Sequence, residues 1–164
     1  MSIKNTLTEG NDLVELRSRI RHSAAHVMAE AVLSLFPDAQ FAVGPSTSEG
    51  FYYDFEVGRS FTPEDLQQIE DLMRETIKKD LTFEYSEITR SEAIACFSEQ
   101  KFKLEIIDSI SEEQTISIYT HGDFVDLCRG PHVESSSDIV ALKLMSVAGA
   151  YWRGDENNLS LIHI

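Results

Sequence analysis

The sequence predicts an α+β fold, in which a largely antiparallel sheet packs with two main helices. Two segments, near residues 13–33 and 62–79, repeat apolar residues at helical spacing. Several shorter segments alternate apolar with polar residues, as half-exposed strands do. The chain has 164 residues, 42 % hydrophobic and 26 % charged, which is enough for one globular domain with a buried core.

The first helix is predicted to begin near Asn11 or Asp12, either of which can act as its N-cap, and to end at residues 36–38. Residues 1–10 are polar and lack periodicity, so we predict a flexible N-terminal tail. The domain is then expected to cover residues 11–158.

Two histidines, His22 and His26, lie four positions apart in this helix, which places them on one face. The stretch from Ala24 to Leu33 contains one charged residue, Glu30, so we expect the second half of the helix to be buried. The histidines therefore face packed protein. The opposite apolar stripe consists of Leu13, Leu16, Ile20, Val27 and Ala31.

The segment that follows is predicted to form a β-hairpin over residues 41–55, with an aromatic second arm. A second helix is expected to start at Thr62, because Pro63 and two acidic residues follow this capping residue. Its apolar face is predicted to consist of Leu66, Ile69, Met73 and Ile77.

In the second half of the chain, residues 89–92 form a capping-box motif and predict a short helix that ends near Phe97. His121 is predicted to lie in a turn with Gly122. Five segments are predicted to be extended, namely residues 83–86, 102–106, 116–118, 124–127 and 139–147.

The net charge of −14 argues against broad binding to nucleic acid, which requires a cationic surface. A local contact with one nucleic-acid end would have to use scattered cations such as Arg129, Lys143 and Arg153. No apolar run is long enough for a membrane span, and the N-terminus lacks a signal peptide, so we expect a cytoplasmic protein without a membrane partner. Two cysteines, Cys96 and Cys128, fit a reducing compartment.

The segment Asp126-Leu-Cys-Arg-Gly-Pro-His132 places a thiol and an imidazole four positions apart, with Gly-Pro between them, and is therefore predicted to be a turn. Together with the helical pair it gives a set of three histidines and one cysteine: His22, His26, Cys128 and His132. Such a set favours either zinc binding or hydrolysis by a positioned water. Either chemistry requires the two distant segments to meet.

Four motifs in order resemble the N-terminal editing region of bacterial threonyl-tRNA synthetases. They are Arg21-His-Ser-Ala-Ala-His26, Gly50-Phe-Tyr-Tyr-Asp54, the segment 126–132 and Ala148-Gly-Ala-Tyr-Trp-Arg-Gly-Asp155. The resemblance covers about residues 18 to 158. It implies the editing-domain fold that threonyl- and alanyl-tRNA synthetases share. The chain has no room for the family's ubiquitin-like domain, aminoacylation core and anticodon-binding domain. We therefore expect a chain that edits mischarged tRNA and cannot ligate an amino acid to tRNA.

The resemblance implies hydrolysis of serine wrongly esterified to threonine tRNA. A site that accepts threonine rejects serine poorly, because the missing methyl is worth only about 1–3 kcal/mol. The implied partners are the serine-bearing acceptor end of tRNA(Thr) and the rest of a synthetase that is a homodimer at full length. No cofactor is expected to be required for editing, with Zn²⁺ possible at the His/Cys set. ATP, Mg²⁺ and Zn²⁺ belong to the absent ligase core.

Carried over residue by residue, the resemblance implies that the three histidines and Cys128 line the editing pocket. Asp126 would contact the seryl amino group or orient an imidazole, and Lys103 would bind near the terminal ribose. Tyr53 would form a wall, and Arg129 is a further candidate for substrate contact. We hypothesise that His22 and Lys103 position or polarise the attacking water, while Cys128 and His132 shape the pocket.

Two alternatives remain at this stage. One is a zinc-dependent hydrolase of the alanyl-tRNA editing type, because a catalytic zinc would use His22, His26, Cys128 and His132 with water in place of one ligand. The other is a non-catalytic module that binds a tRNA end or a protein partner. Residues 159–164 resemble the conceptual translation of a sequencing-library transposon end, and we predict that they are an artefact.

Overall fold

A computed structural model describes residues 3–150, 153 and 161–163 of the chain. The helices are α1 (Ile3–Leu35), α2 (Pro63–Lys78), α3 (Arg90–Cys96) and α4 (Lys101–Ser109). The strands are β1 (Gln40–Phe41), β2 (Asp54–Glu56), β3 (Glu84–Ile88), β4 (Ile116–His121), β5 (Phe124–Leu127), β6 (Ala148–Ala150) and β7 (Leu161–His163). Among the described residues, no helix combines the length and apolar character that a membrane span requires.

The strands form two sheets, one with the order β1-β2-β7-β6 and one with the order β3-β4-β5. Every strand pair within the described residues is antiparallel. The long helices α1 and α2 pack on each other, and their buried side chains join those of the sheets in one core. The predicted α+β class is therefore confirmed.

Helix α1 begins at Ile3, so the predicted start near Asn11 or Asp12 is wrong, and residues 3–10 are helical backbone where a tail was predicted. Extension is inexpensive once a helix is nucleated, because each added residue gains one hydrogen bond, and Gly10 alone costs about 1 kcal/mol. The part of α1 from residue 10 to 18 is exposed, whereas residues 23–29 are buried.

The capping box predicted at residues 89–92 is present, and the predicted capping residue Thr62 forms a second one. In α2, the Thr62 hydroxyl accepts from the Asp65 N–H, and the Asp65 carboxylate accepts from the Thr62 N–H at 2.7 Å. Thr89 and Glu92 make the equivalent pair at the start of α3. Each box satisfies two N–H groups that a helix N-terminus would otherwise leave without partners.

The strand predicted at residues 102–106 is wrong, since this segment lies in α4. The buried residues of this helix are Phe102, Lys103 and Ile107, which fit one helical face. The alternation of apolar and polar residues was misleading because Lys103, counted as exposed, is one of the most buried side chains of the molecule.

The strand predicted at residues 139–147 is also wrong. A short 3₁₀ turn at Ser136–Asp138 is followed by irregular backbone, in which Ile139 and Leu144 are buried while Val140 is 87 % exposed. The Leu144 N–H donates to the Glu70 carboxylate at 3.0 Å. The two apolar anchors hold this segment on α2 without the hydrogen bonds of a sheet.

The C-terminal residues Leu161–His163 form β7, which pairs with β2 and β6. These residues therefore take part in the fold, while their foreign origin stays a prediction. Half of the motif at 148–155, namely residues 151, 152, 154 and 155, lies outside the described residues. Arg153 is described, and its guanidinium donates to the Glu105 carbonyl at 3.4 Å.

Gly44 lies directly against the buried ring of Tyr53, where a Cβ would stand 2.0 Å from Cδ2 of that ring. We expect Gly44→Ala to lower the free energy of unfolding by about 1–3 kcal/mol, because the ring must move within a packed core. Urea unfolding measures this. Gly50 has no heavy atom within 4 Å of such a Cβ, so Gly50→Ala should stay within about 0.5 kcal/mol. Equal losses in both variants would contradict the expectation.

Candidate hydrolytic site

The buried half of α1 and the turn that follows β5 meet in the structure. One donor atom from each of His22, His26, Cys128 and His132 lies within 4.8 Å of the other three. Within the turn, Gly130 adopts a φ of +73° and lies against β4, where a Cβ would stand 2.5 Å from the Tyr119 hydroxyl, so this position requires glycine. The two segments thus converge as the sequence predicted.

His22 is half-buried, and its Nδ1 lies 3.3 Å from the Pro131 carbonyl oxygen. A carbonyl only accepts, so Nδ1 carries the proton and Nε2 has a free lone pair. This Nε2 lies 3.4 Å from the Cys128 sulfur. Burial lowers the pKa of His22 below its usual value, so the ring is neutral at pH 7 and can accept a proton.

His132 is buried, with Nε2 at 3.2 Å from the Cys128 sulfur and Nδ1 at 2.8 Å from the Ser23 hydroxyl. Its ring stacks on Phe83 with centroids 5.0 Å apart and 9° between the planes. Burial, followed by the neighbouring His26 and His22, lowers the pKa of His132, and the ring is therefore neutral.

The Cys128 side chain is a thiol at neutral pH, since burial raises its pKa to about 12. Its sulfur accepts from the Gly130 N–H at 3.2 Å and lies within reach of two imidazoles. A thiol of this kind is a poor nucleophile without further activation. The arrangement therefore favours attack by a positioned water over attack by the thiol.

Behind the histidines, Lys103, Asp126 and Tyr53 form a closed buried triangle. Lys103 Nζ lies 2.5 Å from one Asp126 carboxylate oxygen and donates to the Tyr53 hydroxyl at 2.9 Å. The Tyr53 hydroxyl donates to the other Asp126 oxygen at 2.5 Å. Lys103 Nζ also donates to the Ala42 carbonyl at 2.8 Å, so the ammonium has one ion pair and two hydrogen bonds.

The triangle reaches the site through His26, whose Nε2 lies 3.6 Å from an Asp126 oxygen. Burial lowers the pKa of His26 well below its usual value. Lys103 is 2 % exposed and Tyr53 is fully buried, so neither presents a surface to a ligand in this arrangement. The roles predicted for them at the ribose and at a pocket wall would require this triangle to open.

Arg129 is exposed, in contrast to the triangle. It lines a cleft of about 310 Å³ that extends along β5 past Leu127 and Cys128 to Ile106. This cleft gives an approach to the turn that carries the thiol. Substrate contact by Arg129 stays a prediction.

Two residues next to the site, His121 and Ser23, were not predicted to belong to it. His121 ends β4, is 1 % exposed and lies with Nε2 3.2 Å from the Glu30 carboxylate, so its assignment to a turn is wrong. The same carboxylate accepts from the Thr76 hydroxyl at 2.9 Å, which joins α1, α2 and β4. The second residue is Ser23. Only its position between the two histidines, in an uncharged stretch, could have indicated a role.

The chemistry of the donor set fits a metal, since imidazole nitrogen and cysteine sulfur are both zinc ligands, and this group could hold an ion. The ring centroids of His22 and His26 lie 4.2 and 4.3 Å from that of His132. Imidazoles on one tetrahedral zinc would have centroids about 5 Å apart, because each Zn–N bond is about 2.0 Å. The rings would have to separate slightly to take up an ion.

Acid is expected to destabilise the domain below about pH 6.5. His26 and His132 stay neutral in the fold because their pKa values are lowered, whereas the unfolded chain takes up protons near pH 6.5. Folded stability is therefore full above that pH and is lost as the pH falls, by about 1.4 kcal/mol for each histidine between pH 7.5 and 5.5. Urea unfolding at these two pH values measures it. His132→Asn should reduce the loss by about 1.4 kcal/mol, and a pH-independent stability would contradict the expectation.

The chain is similar in sequence to known proteins. Residues 116–164 match the family model described as "Threonyl and Alanyl tRNA synthetase second additional domain". A threonine–tRNA ligase of Dehalococcoides mccartyi is 49 % identical over 160 residues, which is 98 % of this chain and 27 % of the relative. Those of Methylobacillus flagellatus and Hahella chejuensis are 54 % and 53 % identical over 147 residues, 88 % of this chain and 23 % of each relative. The chain thus spans about a quarter of the length of these relatives.

Proposed function

Since the chain corresponds to one region of the bacterial threonine–tRNA ligases, the region with their second additional domain, we propose that it is an editing hydrolase for seryl-tRNA(Thr). The observation that carries the proposal is the neutral His22 ring. Its Nδ1–H donates to the Pro131 carbonyl, so its Nε2 is an acceptor, and this Nε2 lies 3.4 Å from the Cys128 sulfur. A base with a fixed tautomer in a partly open position is what activation of a water requires.

In this mechanism, His22 Nε2 accepts a proton from water while the water oxygen attacks the ester carbonyl carbon. The ester C–O bond to the terminal ribose then breaks, and the ribose oxygen takes the proton from His22. Cys128 and His132 shape the pocket beside the attacked carbon. Lys103 acts through Asp126 on His26 and is a positioning residue in this scheme, which revises the direct role predicted for it.

The proposal also includes the partners of the chain and the domain bounds. The partners would be the serine-bearing acceptor end of tRNA(Thr) and the remaining domains of a homodimeric, cytoplasmic synthetase. The editing domain would cover residues 11–158, with its helix extended to Ile3.

The test is deacylation of seryl-, threonyl- and alanyl-tRNA by the purified chain. We expect release of serine from seryl-tRNA(Thr), while the extra methyl should exclude threonine from the pocket. Preferential hydrolysis of alanyl-tRNA would instead favour the alanyl-type enzyme. No turnover of any of the three would contradict an editing activity and favour a binding module.

The zinc-dependent alternative is kept because the four donor atoms lie within 4.8 Å of one another. Zinc, when bound, would supply a more acidic water. Elemental analysis of the purified chain, followed by dialysis against a chelator, separates the two hydrolases. We expect seryl-tRNA hydrolysis to survive removal of the metal. Its loss, with recovery on addition of zinc, would favour the alternative.

A further inference from the structure

Ser23 is fully buried between the two site histidines of α1. Its hydroxyl oxygen accepts from the Val133 N–H at 3.1 Å and lies 2.8 Å from His132 Nδ1. This one side chain thus holds both the backbone that follows the late turn and the imidazole of that turn.

The direction of the hydrogen bonds follows from a count of hydrogens. His22 Nδ1–H donates to the Pro131 carbonyl, so His22 Nε2 can only accept. The Cys128 thiol has a single hydrogen, and its sulfur lies 3.4 Å from His22 Nε2 and 3.2 Å from His132 Nε2. One of these two contacts must therefore be donated by an imidazole, and His22 cannot be the donor.

One arrangement gives every hydrogen of these contacts an acceptor. The Ser23 hydroxyl donates to His132 Nδ1, His132 Nε2–H donates to the Cys128 sulfur, and the thiol donates to His22 Nε2. In the reverse arrangement, His132 Nδ1–H donates to the Ser23 hydroxyl. The Nε2 lone pairs of His22 and His132 then compete for the single thiol hydrogen of Cys128. The hydroxyl hydrogen of Ser23 would then have no acceptor among the described contacts.

We propose that Ser23 is a positioning residue that holds His132 in the Nε2–H tautomer, opposite to the Nδ1–H tautomer of His22. The two rings then present complementary groups beside Cys128: an acceptor on His22 and a donor on His132. This deepens the proposed editing function and rests on it: when water and the ester replace the two contacts to Cys128, His22 takes the proton of the water while His132 Nε2–H donates to the carbonyl oxygen as it gains negative charge.

Nitrogen-15 NMR of the imidazole rings in the whole chain tests the tautomers directly, without a variant that could misfold. We expect His132 to be protonated at Nε2 and bare at Nδ1, and His22 to show the reverse. Spectra of His22→Gln and His132→Gln assign the signals. A His132 ring protonated at Nδ1 overturns the proposal. This readout does not depend on hydrolysis, so it can fail or succeed separately from the proposed function.

Ser23→Ala tests the role of the hydroxyl, with Ser34→Ala as the matched control on an exposed turn of the same helix. We expect Ser23→Ala to remove the single His132 tautomer and to lower kcat for seryl-tRNA about 10- to 100-fold, with KM nearly constant. Ser23→Thr keeps the hydroxyl and should restore the tautomer, and Ser34→Ala should change neither quantity. An unchanged tautomer in a folded Ser23→Ala chain would refute the assignment.

Discussion

Replacement of Lys103 by methionine is expected to lower the free energy of unfolding by about 3–5 kcal/mol. Methionine keeps the length and apolar body of the side chain but removes the charge. The Asp126 carboxylate would then remain buried beside a single hydroxyl donor, that of Tyr53. A buried charge without its partner is costly because no water replaces the lost interaction. Urea unfolding of the wild type and the variant at pH 7.5 measures the difference.

Lys101 provides the matched control two residues earlier in α4. It also pairs with a carboxylate, Glu56, at 2.5 Å, but its side chain is 53 % exposed. Lys101→Met should therefore cost no more than about 1 kcal/mol. Adding Asp126→Asn to Lys103→Met should recover part of the loss, since it removes the stranded charge. A Lys103→Met loss as small as that of the control would show that the triangle contributes little.

Replacement of His22 by alanine is expected to reduce seryl-tRNA hydrolysis about 10²- to 10⁴-fold, which is the usual contribution of a general base. The effect should appear in kcat because the imidazole acts on the water, and the ester binds elsewhere. Folding should be affected little, since His22 is only half-buried and its polar contacts are a carbonyl and a thiol. Single-turnover deacylation at saturating enzyme measures the chemical step.

Ser18→Ala is the control for this experiment. Ser18 lies one turn earlier on the exposed part of α1, and its replacement leaves the net charge unchanged. Its deacylation rate should equal that of the wild type. If His22→Ala also retained the full rate, another group would have to accept the proton, and the mechanism proposed here would be wrong.

Local sequence patterns were sufficient for much of the fold. The capping residues Thr62 and Thr89 marked two helices because their hydroxyls satisfy backbone groups within three residues. The pairing of β4 with β5 was equally local, with a tight turn at Gly122. The prediction of a strand at residues 102–106 was wrong because the buried Lys103 was read as an exposed residue. Its burial depends on partners that are distant in sequence.

The candidate site could likewise be predicted only in part from the sequence. The four donors were identifiable because unusual residue types recur at short spacing, and the structure brings all of them together. Ser23 and His121 had no such signal, since their partners His132 and Glu30 lie 109 and 91 positions away. The burial of Lys103 was not predictable either, because it depends on a carboxylate and a hydroxyl from other segments.

The triangle of Lys103, Asp126 and Tyr53 joins three pieces of chain that are remote in sequence: the start of β2, α4 and β5. A partly open form that released α4 or β5 would strand an ionised group in apolar surroundings, and one that released Tyr53 would break two hydrogen bonds to the buried charges. Such forms are therefore sparsely populated, and the three pieces should open as one cooperative unit. Their slowest amide protons would then exchange with solvent at a common free energy, close to that of complete unfolding.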